Sequence, residues 1–298
     1  MREANEIAWR ALNAGAVMFE VSGRALVRVT GRDRASWLNG VVTQDVRHLA
    51  TATGVYAASV AVKGRLLGDL IVLAETDALV LALPAEQVDT FMAHFDRYIV
   101  MEDVTLTPDP RGVLTVQGPR AAGLTEGFAG RFAVDRLGTG GVDLLGDAET
   151  LAAHRAALIA AGAVAVDGAT AGALHVFAGR PRWGVDFGGD NFVQEASVTA
   201  QAVSFHKGCY LGQEVVCRLE MRGHVQKQLV TLRLAAPATA GAGVFHEAAQ
   251  VGAVTSVASR EGLDAALAMV KYAVVDKGLA VTVEAQPAQV GPVGKAVA

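Results

Sequence analysis

Cysteine is nearly absent: two residues in 298 exclude a disulfide framework and cannot supply the four thiolates of an ordinary iron–sulfur cluster within one subunit. A reducing, cytoplasmic setting is the expectation. Charge of one sign is lacking too, since Lys and Arg total 26 against 30 for Asp and Glu, a net charge of -4. No global positive field draws the chain to nucleic acid or to anionic lipid, so any basic surface must be local. Long apolar runs are missing: the N-terminus is interrupted by Arg2, Glu3, Glu6 and Arg10, unlike a secretory leader, and the longest uncharged stretch, His48 to Val62, is too short and polar to cross a bilayer. Absent as well are the GxxxxGK[ST] phosphate loop, the GxSxG elbow, the GxGxxG fingerprint, and the HxxxH, HExxH and CxxC spacings of zinc sites. Nucleotide hydrolysis, serine hydrolysis, dinucleotide redox chemistry and a resident metal lose their usual support.

What remains is 52% hydrophobic residues, enough for a large core in two or three domains. Helical spacing runs from Glu6 to Phe19, an alternating strand pattern from Ala25 to Thr30, and Asp33 is placed to cap a helix carrying Trp37, Leu38 and Val42. Three strand-like runs follow, Val55–Val62, Asp69–Ala74 and Ala78–Leu83, joined by short turns that predict an antiparallel meander. After Pro84 a helix is expected to Tyr98, then a strand at Val104–Thr107. Pro108 and Pro110 break the pattern, and the layout restarts with a strand at Arg111–Gln117, a helix near Ala121, a strand at Phe132–Val134 and a helix at Thr150–Ala161. Strand patterns return at Gln228–Leu234, Gln250–Ala258 and Leu279–Glu284, as in a small terminal barrel. The reading is α+β rather than a doubly wound parallel fold, divided into lobes at 1–108 and 109–222 and a barrel at 223–298.

Reactive and small residue types crowd one segment, Lys207-Gly208-Cys209-Tyr210-Leu211-Gly212-Gln213-Glu214, ahead of the helix-like VVCRLEMR. A thiol before a helix start feels the positive end of the backbone dipole, and an ammonium two residues away can lie beside it; both favour thiolate. Gly208 and Gly212 open unusual dihedrals or a close ligand approach, and Gln213 and Glu214 can cap the helix or hold a polar ligand. Cys217, among Val215, Val216 and Leu219, reads instead as a space-filling core thiol, and His206 and His224 as structural or exposed. From Ser204 to Arg233 five positive residues, including Arg222, stand against two negative ones. That surface faces an anion or is ordinary solvated charge, and its scarcity of aromatic partners argues against RNA stacking.

The run KGCYLGQE resembles the signature of the YgfZ family, folate-binding proteins of iron–sulfur metabolism related to the T-protein, the aminomethyltransferase of the glycine cleavage system. WLNGVVTQDV, KGRLLGDLIV, RGHVQKQLV, VGAVTSVAS and AALAMVKY are similar to other stretches of that family, so the resemblance covers most of the chain. It implies a three-part cloverleaf around a folate-sized channel, formed with the N-terminal lobe, and tetrahydrofolate or a one-carbon derivative as ligand. It further implies a role in assembly or repair of iron–sulfur clusters in client proteins, including tRNA-modifying ones. Cys209 would face the channel as the reactive thiol, with Lys207 beside it. Gly208, Tyr210, Gly212, Gln213, Glu214 and Arg222 would contribute to ligand binding. No membrane partner is expected, nor direct nucleic-acid binding.

Two departures from T-proteins bear on chemistry. Gly68-Asp69 stands where T-proteins carry an Asp-Asp pair, leaving Asp69 as the carboxylate near the folate. Phe177 stands where they commonly have a pterin-gripping glutamate, a loss of about 1.5 to 3 kcal/mol unless another acid, Glu195, replaces it. Two rival readings follow: a folate-dependent aminomethyl or one-carbon transferase working through Asp69, and a non-catalytic module that senses folate and recruits a partner.

Overall fold

In the computed structural model, which describes residues 1–297, the expected meander is present as antiparallel strands Gly54–Val60, Leu66–Ala74 and Leu79–Pro84. Arg24–Thr30 and Thr105–Asp109 complete a five-stranded sheet. Its central strands are apolar and buried almost throughout because both faces are covered. One face packs on helices Arg34–Val41 and Val88–Asp96 through Trp37, Leu38, Phe91 and Phe95. The other face meets a second sheet, with Leu26, Ile71 and Val80 against Phe132, Val134 and Leu145.

The second sheet runs in the order Val164–Ala165, Val17–Glu20, Gly112–Gln117, Gly141–Gly146, Arg131–Ala133. Only its first pair is parallel. The last six strands, from Lys227–Leu234 to Gln286–Gly291, close into a barrel filled with valine, leucine and alanine. Antiparallel sheets, surface helices and a terminal barrel make the chain α+β.

Several expectations need correction. The first helix is Arg2–Ala14, not Glu6–Phe19: Gly15 ends it, and the β-prone Val17–Glu20 becomes a strand of the second sheet. That strand precedes residue 108, so the chain-order lobes 1–108 and 109–222 are not the spatial ones. The crossing goes the other way too, since Phe187, Val193, Val203 and Val216 pack on Ala58, Val60 and Leu66 of the first sheet. Asp33 precedes its helix as expected, but its side chain accepts from the Asp103 N–H at 2.9 Å instead of capping. The glycine- and alanine-rich region after residue 163 contains a helix at Gly168–Phe177, begun by Asp167 accepting from the Thr170 N–H at 2.8 Å.

Strand alternation explains Gly68. Its neighbour Asp69 points to the intersheet side, so position 68 points to the helices, where a Cβ would lie 2.4 Å from Phe91 Cζ. An aspartate there would be driven into a fully buried ring rather than toward a ligand. Gly68→Ala is expected to lower stability by about 1 to 3 kcal/mol in urea unfolding, and Phe91→Leu in the same chain to return part of that loss; additive losses would refute the contact.

Candidate functional site

A cavity of about 370 Å³ lies where the two sheets meet the helix Gly168–Phe177. Asp69 reaches it from the strand Leu66–Ala74 and is 2% exposed. Tyr56 pairs in register with Ile71, which makes Asp69 its diagonal neighbour across the strands, and its hydroxyl donates to Asp69 Oδ2 at 2.9 Å. The Arg24 guanidinium lies 2.6 Å from Asp69 Oδ1 and donates to the Asp69 carbonyl oxygen at 3.0 Å. Burial, reinforced by the Asp69 charge, pushes Tyr56 well above its ordinary value of 10, so it remains a donor at neutral pH. Asp69 is thus a charge-compensated acceptor, not an isolated base.

Phe19 and Trp183 supply aromatic wall, and His175 lies edge-on to Phe19 with ring centroids 6.4 Å apart. Burial, with Arg182 and Arg136 adding to it, drives His175 down to about 3, so its imidazole is neutral. Of the predicted site residues only Asp69 lines this cavity; Arg24, Tyr56, His175 and Arg182 line it without having been anticipated. The Asp167–Thr170 capping pair was the available signal: a helix begun there puts Gly168, Ala171, Gly172 and His175 on one face.

The signature segment has a different job. Helix Arg34–Val41 ends with carbonyls that lack intrahelical partners. Lys207 Nζ donates to the carbonyls of Asn39 at 2.7 Å, Val42 at 2.8 Å and Gln44 at 2.7 Å, and the Leu211 N–H donates to Gly40 O at 3.0 Å. KGCYL therefore caps the helix from a distant part of the chain, with its cation where the helix dipole favours one. Desolvation pushes Lys207 down to about 8, which leaves it mostly charged at neutral pH. Tyr210 is buried, its ring 5.1 Å from Lys207 Nζ. Between these two anchors Cys209 is exposed.

Contrary to the expected channel-facing position, Cys209 does not line the cavity, and Lys207 is engaged by carbonyls. Gly208, Tyr210, Gly212, Gln213, Glu214 and Arg222 are likewise outside the cavity lining. Gly212 is the residue before helix Gln213–Arg222, with φ of +76°, and a Cβ there would lie 2.6 Å from Ala61 O, so backbone proximity rather than a ligand demands glycine. Neither Gln213 nor Glu214 caps that helix through its side chain. Glu195 is no replacement acid: it is buried with Arg65 at 3.3 Å and accepts from Phe192 N–H at 3.1 Å. Phe177 is fully buried against Trp9, centroids 5.8 Å apart, and faces the core. His206 and His224 border a broader cleft of about 1040 Å³ beside the barrel, where His224 stacks on Tyr272.

No helix among the described residues is long and apolar enough to cross a membrane. Residues 1–138 match the GCVT N-terminal domain family. The chain is 30% identical over 228 residues to the tRNA-modifying protein YgfZ of Yersinia enterocolitica, covering 70% of this chain and 68% of that protein. It is 29% identical over 229 residues to the protein of the same name from Serratia proteamaculans, with the same coverage. In structure it is similar to the glycine cleavage system aminomethyltransferase T of Bartonella henselae, with a TM-score of 0.83 at 20% identity over 97% of this chain and 88% of that one. This likeness establishes the T-protein fold.

Lys207→Met removes one ammonium and strands three carbonyls, a loss expected at about 2 to 4 kcal/mol in denaturant unfolding, with faster hydrogen exchange at Leu211. Wild-type stability in that variant would show the cap to be dispensable.

Proposed function

The chain belongs to the YgfZ family, and on that premise we propose that it binds tetrahydrofolate in the cavity at Asp69 and supports iron–sulfur cluster assembly or repair in client enzymes through Cys209. The observation that carries this reading is the pairing of a ligand-sized hollow, built around a buried acceptor and aromatic walls, with a separate exposed thiol. A volume of about 370 Å³ falls within the range of small-molecule sites, about 300 to 1,000 Å³. Asp69 suits the amino and ring N–H donors of a pterin, Tyr56 and Arg24 hold that carboxylate in place, and Phe19 and Trp183 shield the ring from water. Bound tetrahydrofolate would supply nitrogens able to carry one-carbon units.

The thiol acts at the surface on this reading. Cys209 is presented by a loop fixed at Lys207 and Leu211, a geometry suited to contact with another protein. Among the described residues no three His, Cys, Asp or Glu side chains gather into a metal site, so any cluster bound at Cys209 would be completed by ligands of the client. Clients that modify tRNA account for the name of the relatives without direct RNA binding, which a net charge of -4 disfavours. The transferase reading requires a carboxylate free to poise a folate nitrogen, and the ion pair with Arg24 favours binding over proton transfer.

Calorimetric titration with tetrahydrofolate is expected to show binding that Asp69→Asn weakens about tenfold or more and Cys209→Ser leaves unchanged. In cells lacking the native protein, Cys209→Ser should fail to restore an iron–sulfur tRNA-modifying enzyme. Full restoration by that variant would remove the thiol from the function, and absence of wild-type titration heat would remove the folate.

A further inference from the structure

The cavity carries positive charge that the protein itself does not neutralise. Four guanidiniums line it, from Arg24, Arg136, Arg180 and Arg182. Arg24 is paired with Asp69 at 2.6 Å, and Arg136 is held by Asp143 in a two-point contact of 2.9 and 2.6 Å. Arg182 has no such partner: among the described residues its side chain makes no hydrogen bond or ion pair, and its Nε is buried and unsatisfied. It is packed over Gly172, where a Cβ would lie 3.0 Å from Nη1. Arg180 Nε is also buried and unsatisfied, and Nη1 of Arg180 meets the Gln201 side-chain amide, whose oxygen, turned toward it, accepts at 2.9 Å.

The acids near these arginines do not answer them. Glu20, Glu86 and Asp135 are exposed, and Asp135 accepts from the Gly138 N–H; the buried Asp186 accepts from the Arg182 backbone N–H at 2.9 Å and from the Thr255 and Ser256 hydroxyls at 2.7 and 2.6 Å, not from a guanidinium. The N-terminus of the helix Gly168–Phe177 is closed by the Asp167 carboxylate, so the surplus charge comes from the guanidiniums and not from the helix end. Half-buried, unpaired guanidinium is costly unless an anion meets it, and its planar fork matches a carboxylate or phosphate. The small side chains of Gly168, Ala171 and Gly172 leave room for one.

We infer that Arg180 and Arg182 form an oxyanion subsite in the wall of the cavity, distinct from the Asp69 end, which takes an anionic group of the bound ligand. Resting on the folate reading, that group is the terminal carboxylate of the ligand's tail, and the cavity selects tailed pterins over bare ones. The neutrality of His175, which burial and the neighbouring Arg182 and Arg136 impose, reports the same local positive field. Arg182 becomes a specificity-determining residue with no structural partner to lose.

Arg182→Gln is the test, since glutamine keeps the aliphatic stem and a polar end while removing the guanidinium, whose charge no partner among the described residues pairs with. The apo variant should melt no lower than wild type, whereas a structural arginine would lower the midpoint. Tetrahydrofolate binding should weaken roughly 10- to 100-fold, while tetrahydropterin without the benzoylglutamate tail binds both proteins equally; Arg182→Lys should recover part of the difference. Unchanged tetrahydrofolate affinity in Arg182→Gln, or an equal loss for both pterins, overturns the subsite. Should neither pterin bind wild type, the folate reading fails alone, and glutarate and inorganic phosphate decide the rest. A melting-point rise in wild type with either anion, abolished in Arg182→Gln, sustains the subsite and identifies the favoured anion; no rise with either overturns it.

Discussion

The carbonyl oxygens of Asn39, Val42 and Gln44 converge on the Lys207 ammonium, and the arrangement of the chain's two reactive regions follows from that contact. A helix end buried beneath another segment must have its carbonyls satisfied, and water cannot do so there. Because the donor comes from residue 207, a segment after the second sheet is tied to the first, and Val193, Val203 and Val216 are brought onto Val60 and Leu66. The thiol is exposed as a consequence: with Lys207 and Tyr210 drawn inward, Cys209 is carried on the outside of the turn.

This anchoring separates the cavity from the sulfur. A thiol lining the hollow would invite chemistry on the ligand itself, whereas an exposed thiol and an enclosed acceptor suit two different partners. The Asp69 network agrees with that division. With Arg24 at one oxygen and Tyr56 at the other, the carboxylate is oriented and its charge balanced, which favours recognition over proton abstraction.

Much of the first sheet was legible because its strands are continuous β-prone runs punctuated by short turns, and the barrel because its alternation recurs at regular intervals. The helix Gly168–Phe177 was not, since it is apolar nearly all round and rich in glycine and alanine, which erases the 3.6-residue stripe. With that helix went His175, and the arginines beyond it. The signature motif was legible as a special sequence, but its long-range partners were not: lysine, glycine and tyrosine look like a ligand loop, while Lys207 and Gly212 meet backbone. Local sequence states which residue types are concentrated; only the long-range partner says whether they serve a ligand or a helix end.

The two positions at which this chain departs from the acids of T-proteins share one physical fate. Position 68 faces Phe91 and position 177 faces Trp9, so both are set in apolar packing where a carboxylate would be desolvated and unpaired. The cavity is left with Asp69 as its buried acid, already matched to Arg24, and Asp143 behind the wall matched to Arg136. Every further guanidinium in the lining is then surplus. In a chain with a net charge of -4, guanidiniums without an acid partner in one half-buried hollow set a local field that favours negative charge, most strongly where water is scarcest.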